Sequence, residues 1–214
     1  MQDQGTLVIA CGALAREIAA LRRANAWDAL DVRCLPAELH NRPERIPGAV
    51  REAIRAARGR YRSVLVAYGD CGTGGELDRV LSAEGVERIP GAHCYEFFAG
   101  EPVFAALSAA EVGTFYLTDF LLRHFDRLVV RGLGLDLHPE LFPVYFGHYR
   151  KLVYLSQAPL PSQAPLQSAL ERGRAIAAAM GLEFAHHPTG YGHLGSSLAA
   201  AVRRGADKAI AWAP

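Results

Sequence analysis

The chain has 214 residues, 50% hydrophobic and 21% charged, enough apolar material for a packed domain that folds without staples. Lys and Arg total 23 against 22 Asp and Glu, a net charge of +1, so no long-range field draws the protein to nucleic acid or to an anionic membrane. No apolar run reaches the ~18 residues of a membrane span and the start carries no leader pattern, which predicts a cytoplasmic protein whose four cysteines serve as thiols, metal ligands or redox groups.

Thr6 to Ala10 is a short β-rich run broken by Gly12, after which Leu14, Ile18 and Leu21 recur at helical spacing. Leu30 to Leu35 reads as a second strand. It runs into "PAELHNRPERIPG", whose prolines and Asn41 prevent a continuous helix before "AVREAIRAARG". A third strand, Ser63 to Tyr68, breaks into "YGDCGTGG" and leads to a helix from Glu76. The fourth is expected near Val86 to Cys94, short or edge-like because of Pro90 and Gly91. This β-α-β-α order predicts an α/β fold: a mostly parallel, Rossmann-like, doubly wound sheet with helices on both faces and all strand ends along one rim.

From Glu96 the pattern loosens, and residues from about 96 to 150 read as an aromatic helical cap within a single 1–214 domain. It holds a helix from about Thr118 to Val130, N-capped by Thr118 or Asp119, and a short helix in "LHPELFPVYFGHYR". "KLVYLSQ" is a fifth strand, followed by the proline-rich loop "APLPSQAPL" and a helix from Gln167 to Met180 stopped by Gly181. "LEFAHHPTG" gives a strand and turn, "GHLGSSLAAAVRRG" a helix, and "KAIAWA" a closing strand. The aromatics from Phe97 to Tyr149 are assigned to the core or a pocket wall. Those after Phe115 are also candidates for a homo-oligomer surface.

Each cysteine falls at or just past the carboxyl end of an expected strand, where open α/β sheets place ligands. Cys34, beside Leu35, is assigned to the core. Cys71 sits instead among Asp70, Gly69, Gly72, Gly74 and Gly75, where the backbone is free to approach a bound group. Cys11, Cys71 and Cys94, with His40 or His93 as the fourth donor, suit zinc, with iron as the alternative. The ligands would be dispersed one per strand end, without a C-x-x-C pair. His93 and Cys94 are neighbours, so on a regular strand only one would face the site.

Cys71 is the expected reactive sulfur, with Glu38 or Asp70 to handle a proton. Glu38, His40 and Arg42 share a polar loop, where a plain surface ion pair is the alternative reading. The later cluster "HHPTGYGHLGSS" offers Gly190 and Gly192 for close approach to a cofactor, or forms an ordinary turn. No phosphate-loop, dinucleotide or G-x-S-x-G pattern occurs, so neither nucleotide binding nor a Ser-His-Asp triad is read.

The segments "VIACGAL" at Val8, "CLPAELHNRPERIP" at Cys34, "YGDCGTGG" at Tyr68, "GAHCYEFFAG" at Gly91 and "GTFYLTDF" at Gly113, taken in this order, resemble the family called domain of unknown function 1638. The resemblance points to Cys11, His40, Cys71, His93 and Cys94. Where the family's fourth motif is expected to read His-Asp-Cys, this chain has His93 directly before Cys94. The resemblance also implies an association with corrinoid-dependent methyltransferase systems, hence one-carbon metabolism. The partner would be a small-molecule substrate, a corrinoid or a methyltransferase protein. The expected function is therefore a zinc protein acting in corrinoid-linked methyl transfer. The alternatives are a non-catalytic accessory protein that binds a corrinoid, a metal or a methyltransferase, and a metal-free enzyme with Cys71 as nucleophile.

Overall fold

Strands buried on both faces read as unbroken apolar runs, and the two longest such runs in the first half of the chain lie side by side. The computed structural model describes residues 4–157 and 166–210. It divides them into two compact units, residues 4–94 with 193–210 and residues 95–192. The first unit holds a parallel sheet of order β2-β1-β3-β4, formed by β1 (Gln4–Cys11), β2 (Leu30–Leu35), β3 (Tyr61–Ala67) and β4 (Glu87–Arg88). Val8, Ile9 and Ala10 of β1 and Val66 and Ala67 of β3 are fully buried. Helices α1 (Ala15–Ala24), α2 (Ile46–Ala57), α3 (Glu76–Glu84) and α9 (Leu194–Ile210) belong to the same unit. Their buried residues include Ile18 of α1, Ile46 and Val50 of α2, Leu77 of α3 and Leu194 and Leu198 of α9.

Several sequence expectations change here. Cys34 is exposed, not core, because β2 is the edge strand and only β1 pairs with it. The segment after β2 forms 3-10 turns, Ala37–Asn41 and Pro43–Arg45. Helix α2 then starts at Ile46, earlier than expected, since Pro47 falls in the first turn, where its missing N–H costs nothing. The fourth strand is reduced to two residues, so His93 and Cys94 lie beyond it in a turn and the alternation rule no longer separates them. The expected closing strand from Lys208 is helical through Ile210, and the rest of it lies outside the described residues.

The second unit has its own parallel sheet, β5-β6-β7, from β5 (Thr114–Thr118), β6 (Lys151–Ser156) and β7 (Glu183–Pro188). The expected cap thus carries a strand as well as helices, and the α/β fold is built on two sheets. Thr-Phe-Tyr-Leu-Thr suits a strand by composition, but its partner β6 is far along the chain. Around it stand α4 (Glu96–Ala99), α5 (Glu101–Ala110), α6 (Asp119–Phe125), α7 (Phe142–Phe146) and α8 (Leu166–Met180). Thr118 caps α6 by accepting from Leu121 N–H at 3.2 Å. Leu117, Leu152 and Tyr154 pack with Leu122, Phe125 and Ile176 on one face, while Tyr116, Val153 and Leu155 pack under Tyr95 and Phe104 on the other. Phe115 meets Phe125, Phe146 and Tyr149 edge-on, so these aromatics are core. The expected proline-rich loop falls on residues 158–165, outside the described residues. Among the described residues, no helix is long and apolar enough to cross a membrane.

Candidate functional site

The carboxyl ends of β1 and β3 are adjacent because the two strands pair in register from Gln4 with Tyr61 to Ala10 with Ala67. Cys11 ends β1, and Tyr68 and Gly69 follow β3. The segment 89–94 is then laid against this rim by the backbone. Asp70 N–H donates to Gly91 O at 3.0 Å and Cys71 N–H to Ala92 O at 2.8 Å. Gly69 has to be glycine, since a Cβ there would stand 2.7 Å from the His93 backbone. The result brings together residues 23 apart in sequence, with Cys71 Sγ 3.4 Å from Cys94 Sγ and Gly69 N–H donating to Cys94 Sγ at 3.4 Å.

Cys71 adopts a left-handed backbone, φ +50, which a non-glycine residue occupies only when its surroundings impose it. The imposition comes from Asp70. Its carboxylate accepts from Thr73 Oγ1 at 2.7 Å, from Gly75 N–H at 2.9 Å and from Gly74 N–H at 3.2 Å. Burial alone would raise this carboxyl, but those donors hold it below its ordinary pKa. Gly72, Gly74 and Gly75 all take left-handed φ, so the turn itself requires them. The N–H groups of Gly74 and Gly75 donate to Asp70 within the loop. The same geometry makes Asp70 the anchor of the loop and a poor proton carrier.

Cys11, Cys71 and Cys94 are all buried, and their protons are unequally held. Contact with Cys94 first, then with His40 and His93, pulls the Cys71 thiol down to about 3 against the effect of burial. Cys11 is likewise lowered, by Cys94 and by the N–H of Ala13, with burial opposing. Cys94 moves the other way, because its contacts with Cys11 and Cys71, then its burial, favour the protonated thiol. The imidazole of His40 is raised by the Cys71 sulfur, although the residue as a whole stays open to solvent. The turn that carries His40 is brought close where Gly72 lies over Pro43, at 3.6 Å for an added Cβ. Glu38 is exposed on the same turn.

Tyr68 is a member of the cluster that the sequence reading passed over. The residue is 2% exposed, and its hydroxyl lies in the field of all three sulfurs, with Cys11 as its contact. Burial pushes its pKa far up, so it is a fixed O–H donor. Yet among the described residues no acceptor closes a full hydrogen bond on that hydroxyl. Its position directly after a buried strand and before glycine is the signal that could have found it.

The donor set suits a borderline-soft divalent ion in kind, with three thiols, two imidazoles and an orphan hydroxyl at one rim. Around zinc, two thiolates stand roughly 3.8 Å apart, given Zn–S bonds of about 2.3 Å in a tetrahedron. The Cys71 to Cys94 separation of 3.4 Å is that of a sulfur–sulfur hydrogen bond. Among the described residues no group of three or more His, Cys, Asp and Glu is set out as found to hold a metal ion. Accommodating one would require the sulfurs to give up their mutual S–H contacts and spread by a few tenths of an ångström.

Gly190 and Gly192 fall in the 95–192 unit, apart from this cluster in the fold's division. Gly190 is exposed. Gly192, with φ +47, is required by packing, since a Cβ would meet Phe97 O at 2.1 Å.

A family model described as protein of unknown function (DUF1638) matches residues 34–198. The chain belongs to that family. The match takes in His40, Cys71, His93 and Cys94, while Cys11 precedes it. No curated protein and no solved structure matches the chain. Within this DUF1638 protein, the thiol rim therefore combines family-matched residues with one cysteine contributed from outside the matched span.

Proposed function

We propose that the chain binds a soft divalent metal ion, zinc by its donor chemistry and iron as the alternative, through Cys11, Cys71, Cys94 and His40 or His93. In this reading it acts in corrinoid-linked one-carbon metabolism. The observation that carries the metal reading is the convergence of three buried cysteines on one rim, with Cys71 and Cys94 in sulfur contact at 3.4 Å. The one-carbon setting rests on the family resemblance alone. When bound, such an ion supplies Lewis acidity and keeps thiolates deprotonated at neutral pH.

The chain's own groups then divide the work. Gly69 N–H and Ala13 N–H orient the Cys94 and Cys11 sulfurs. Cys94 holds the proton that must leave as the sulfurs separate, so loading releases acid. His40, in contact with Cys71 and open to solvent, is placed to pass that proton out. Glu38, exposed on the same turn as His40, is the carboxylate left for this role, because Asp70 is committed to its loop.

Elemental analysis of protein purified without chelator tests the reading. About one equivalent of metal per chain is expected, and less than a tenth of an equivalent would overturn it. A metal-free enzyme with Cys71 as nucleophile is the second reading, favoured by the strong lowering of that thiol. Iodoacetamide separates the two. Rapid alkylation confined to Cys71 in untreated protein supports the nucleophile, whereas protection relieved by chelator supports the metal.

A further inference from the structure

A second polar cluster lies wholly within the 95–192 unit, at the carboxyl edge of its sheet. Ser156 ends β6, the central strand, and its Oγ stands 2.8 Å from Nε2 of His186 on β7. The ladder sets Tyr154 opposite His186, and alternation puts Tyr154 and Ser156 on the same sheet face. The Tyr154 ring lies along the imidazole, with centroids 5.5 Å apart and planes inclined by 31°. Its hydroxyl donates to the buried carboxylate of Asp119, the residue immediately after β5. Asp119 is itself fixed, since its N–H donates to Gln157 Oε1 at 3.0 Å while Gln157 Nε2 donates to Leu155 O at 2.7 Å. Ser156 is buried and His186 is partly exposed, so the imidazole is the side open to an incoming molecule.

We propose that Ser156 and His186 form a nucleophile and general-base pair that takes an acyl group from an ester or thioester. Pairing of β6 with β7 is already complete from Lys151 and Glu183 to Ser156 and Pro188, so the Ser156 to His186 contact is not needed to join the strands. It joins a hydroxyl to a base at hydrogen-bond distance, the contact through which a base activates a serine, and the Tyr154 ring packs along that base. Burial first, then the neighbouring His187 and Arg174, hold the imidazole below its ordinary pKa, which favours the neutral base. Asp119 acts the other way and favours the imidazolium once a proton arrives. Tyr154 is a positioning residue, since its ring packs along the imidazole and is itself anchored by the hydrogen bond from its hydroxyl to Asp119. None of these residues belongs to the thiol rim, and the inference stands whether or not that rim binds metal.

The chemistry balances without a further reagent. The Ser156 Oγ–H proton passes to Nε2 as Oγ bonds to the acyl carbon. The carbon–oxygen or carbon–sulfur bond to the leaving group then breaks, and the departing alcohol or thiol takes the proton from Nε2. Water repeats the attack with His186 again as base, which releases a carboxylic acid and restores the serine.

The test is to treat the full-length chain with a fluorophosphonate probe and map the adduct by peptide mass spectrometry. Modification of Ser156 is expected, absent in Ser156→Ala and about 100-fold slower in His186→Gln. The labelling rate should rise with pH through a midpoint below 6.5, the ordinary histidine value. Circular dichroism of each variant shows whether it is folded. An adduct elsewhere, or none at Ser156 in folded wild type, overturns the proposal, as does an unchanged rate in folded His186→Gln. Ser156-dependent release from p-nitrophenyl acetate or from an acetyl thioester identifies the acyl source, and release from neither also overturns it.

Discussion

Arg88 grips Asp78 with two nitrogens, Nε to Oδ1 at 2.6 Å and Nη2 to Oδ2 at 2.9 Å, while its Nη1 donates to the carbonyls of Ile89 and Gly91 at 3.1 Å each. One side chain thus ties helix α3 to the backbone that leads to His93 and Cys94. The Arg88 side chain is mostly buried, and its charged donors satisfy two main-chain carbonyls. Arg88→Ala is expected to destabilise the protein by about 2 kcal/mol in urea unfolding. It should also loosen Cys94, seen as faster alkylation of that cysteine.

The partner carboxylate gives a pH dependence of known sign. The hydrogen bond from Arg88 holds the Asp78 carboxyl below its ordinary value, so its contribution is present above about pH 4 and is lost as pH falls through the lowered folded value. Asp78 is more than half exposed, which limits the pair to under about 1 kcal/mol. Wild type should therefore lose more stability than Asp78→Asn between about pH 5 and pH 2, and the two curves should converge at the acid end.

Cys71 offers a test of backbone strain separate from its chemistry. At φ +50 a glycine is more comfortable than any residue with a Cβ. Cys71→Gly should be more stable than Cys71→Ala by about 1 kcal/mol, the reverse of their order at an ordinary position. Both should lose metal affinity, as measured by competition with a chromogenic chelator.

Tyr68→Phe removes a hydroxyl that lacks a full hydrogen bond. Its thermal stability without metal should be unchanged or slightly raised, because only the weak contact with Cys11 is lost and a buried polar group is removed. With cobalt added in place of zinc, the sulfur-to-metal absorption should shift if the hydroxyl has found its acceptor in the loaded site. A large loss of stability before loading would contradict the orphan assignment.

Gly69→Ala addresses the rim directly. The new Cβ would press on the His93 backbone at 2.7 Å, and backbone does not yield as a flexible side chain does. A loss of about 1–3 kcal/mol is expected in urea unfolding, together with reduced metal uptake.

Local signals carried the first unit far. A buried run ending in glycine marked Cys71 at a strand end, and β2 is found over the residues its pattern indicated. Cys94 was marked for the wrong reason. It reaches Cys71 because Gly91 and Ala92 carbonyls accept from Asp70 and Cys71, not because a strand carries it there. Cys34 shows the converse failure, since strand composition does not say which strand lies at a sheet edge. The β5 strand was hidden by its aromatics, which suit a helix face as well as a core. Ser156 and His186 give no local signal, because their meeting depends on the register of β6 with β7.

Helix α9 completes the first unit only after the whole 95–192 segment has been synthesised. Thr6 Oγ1 donates to Ala201 O at 3.2 Å, and Gly205 passes so close to Thr6 that a Cβ would stand 2.2 Å from its oxygen. On the ribosome, at roughly 5–20 residues per second, β3 waits about 6–25 s and β1 about 9–37 s for this helix to begin. During that interval the nascent sheet lacks one of its coverings, and its cysteines have already emerged. A chain halted before Leu194 would be left permanently in that state, a natural substrate for chaperones and for oxidation.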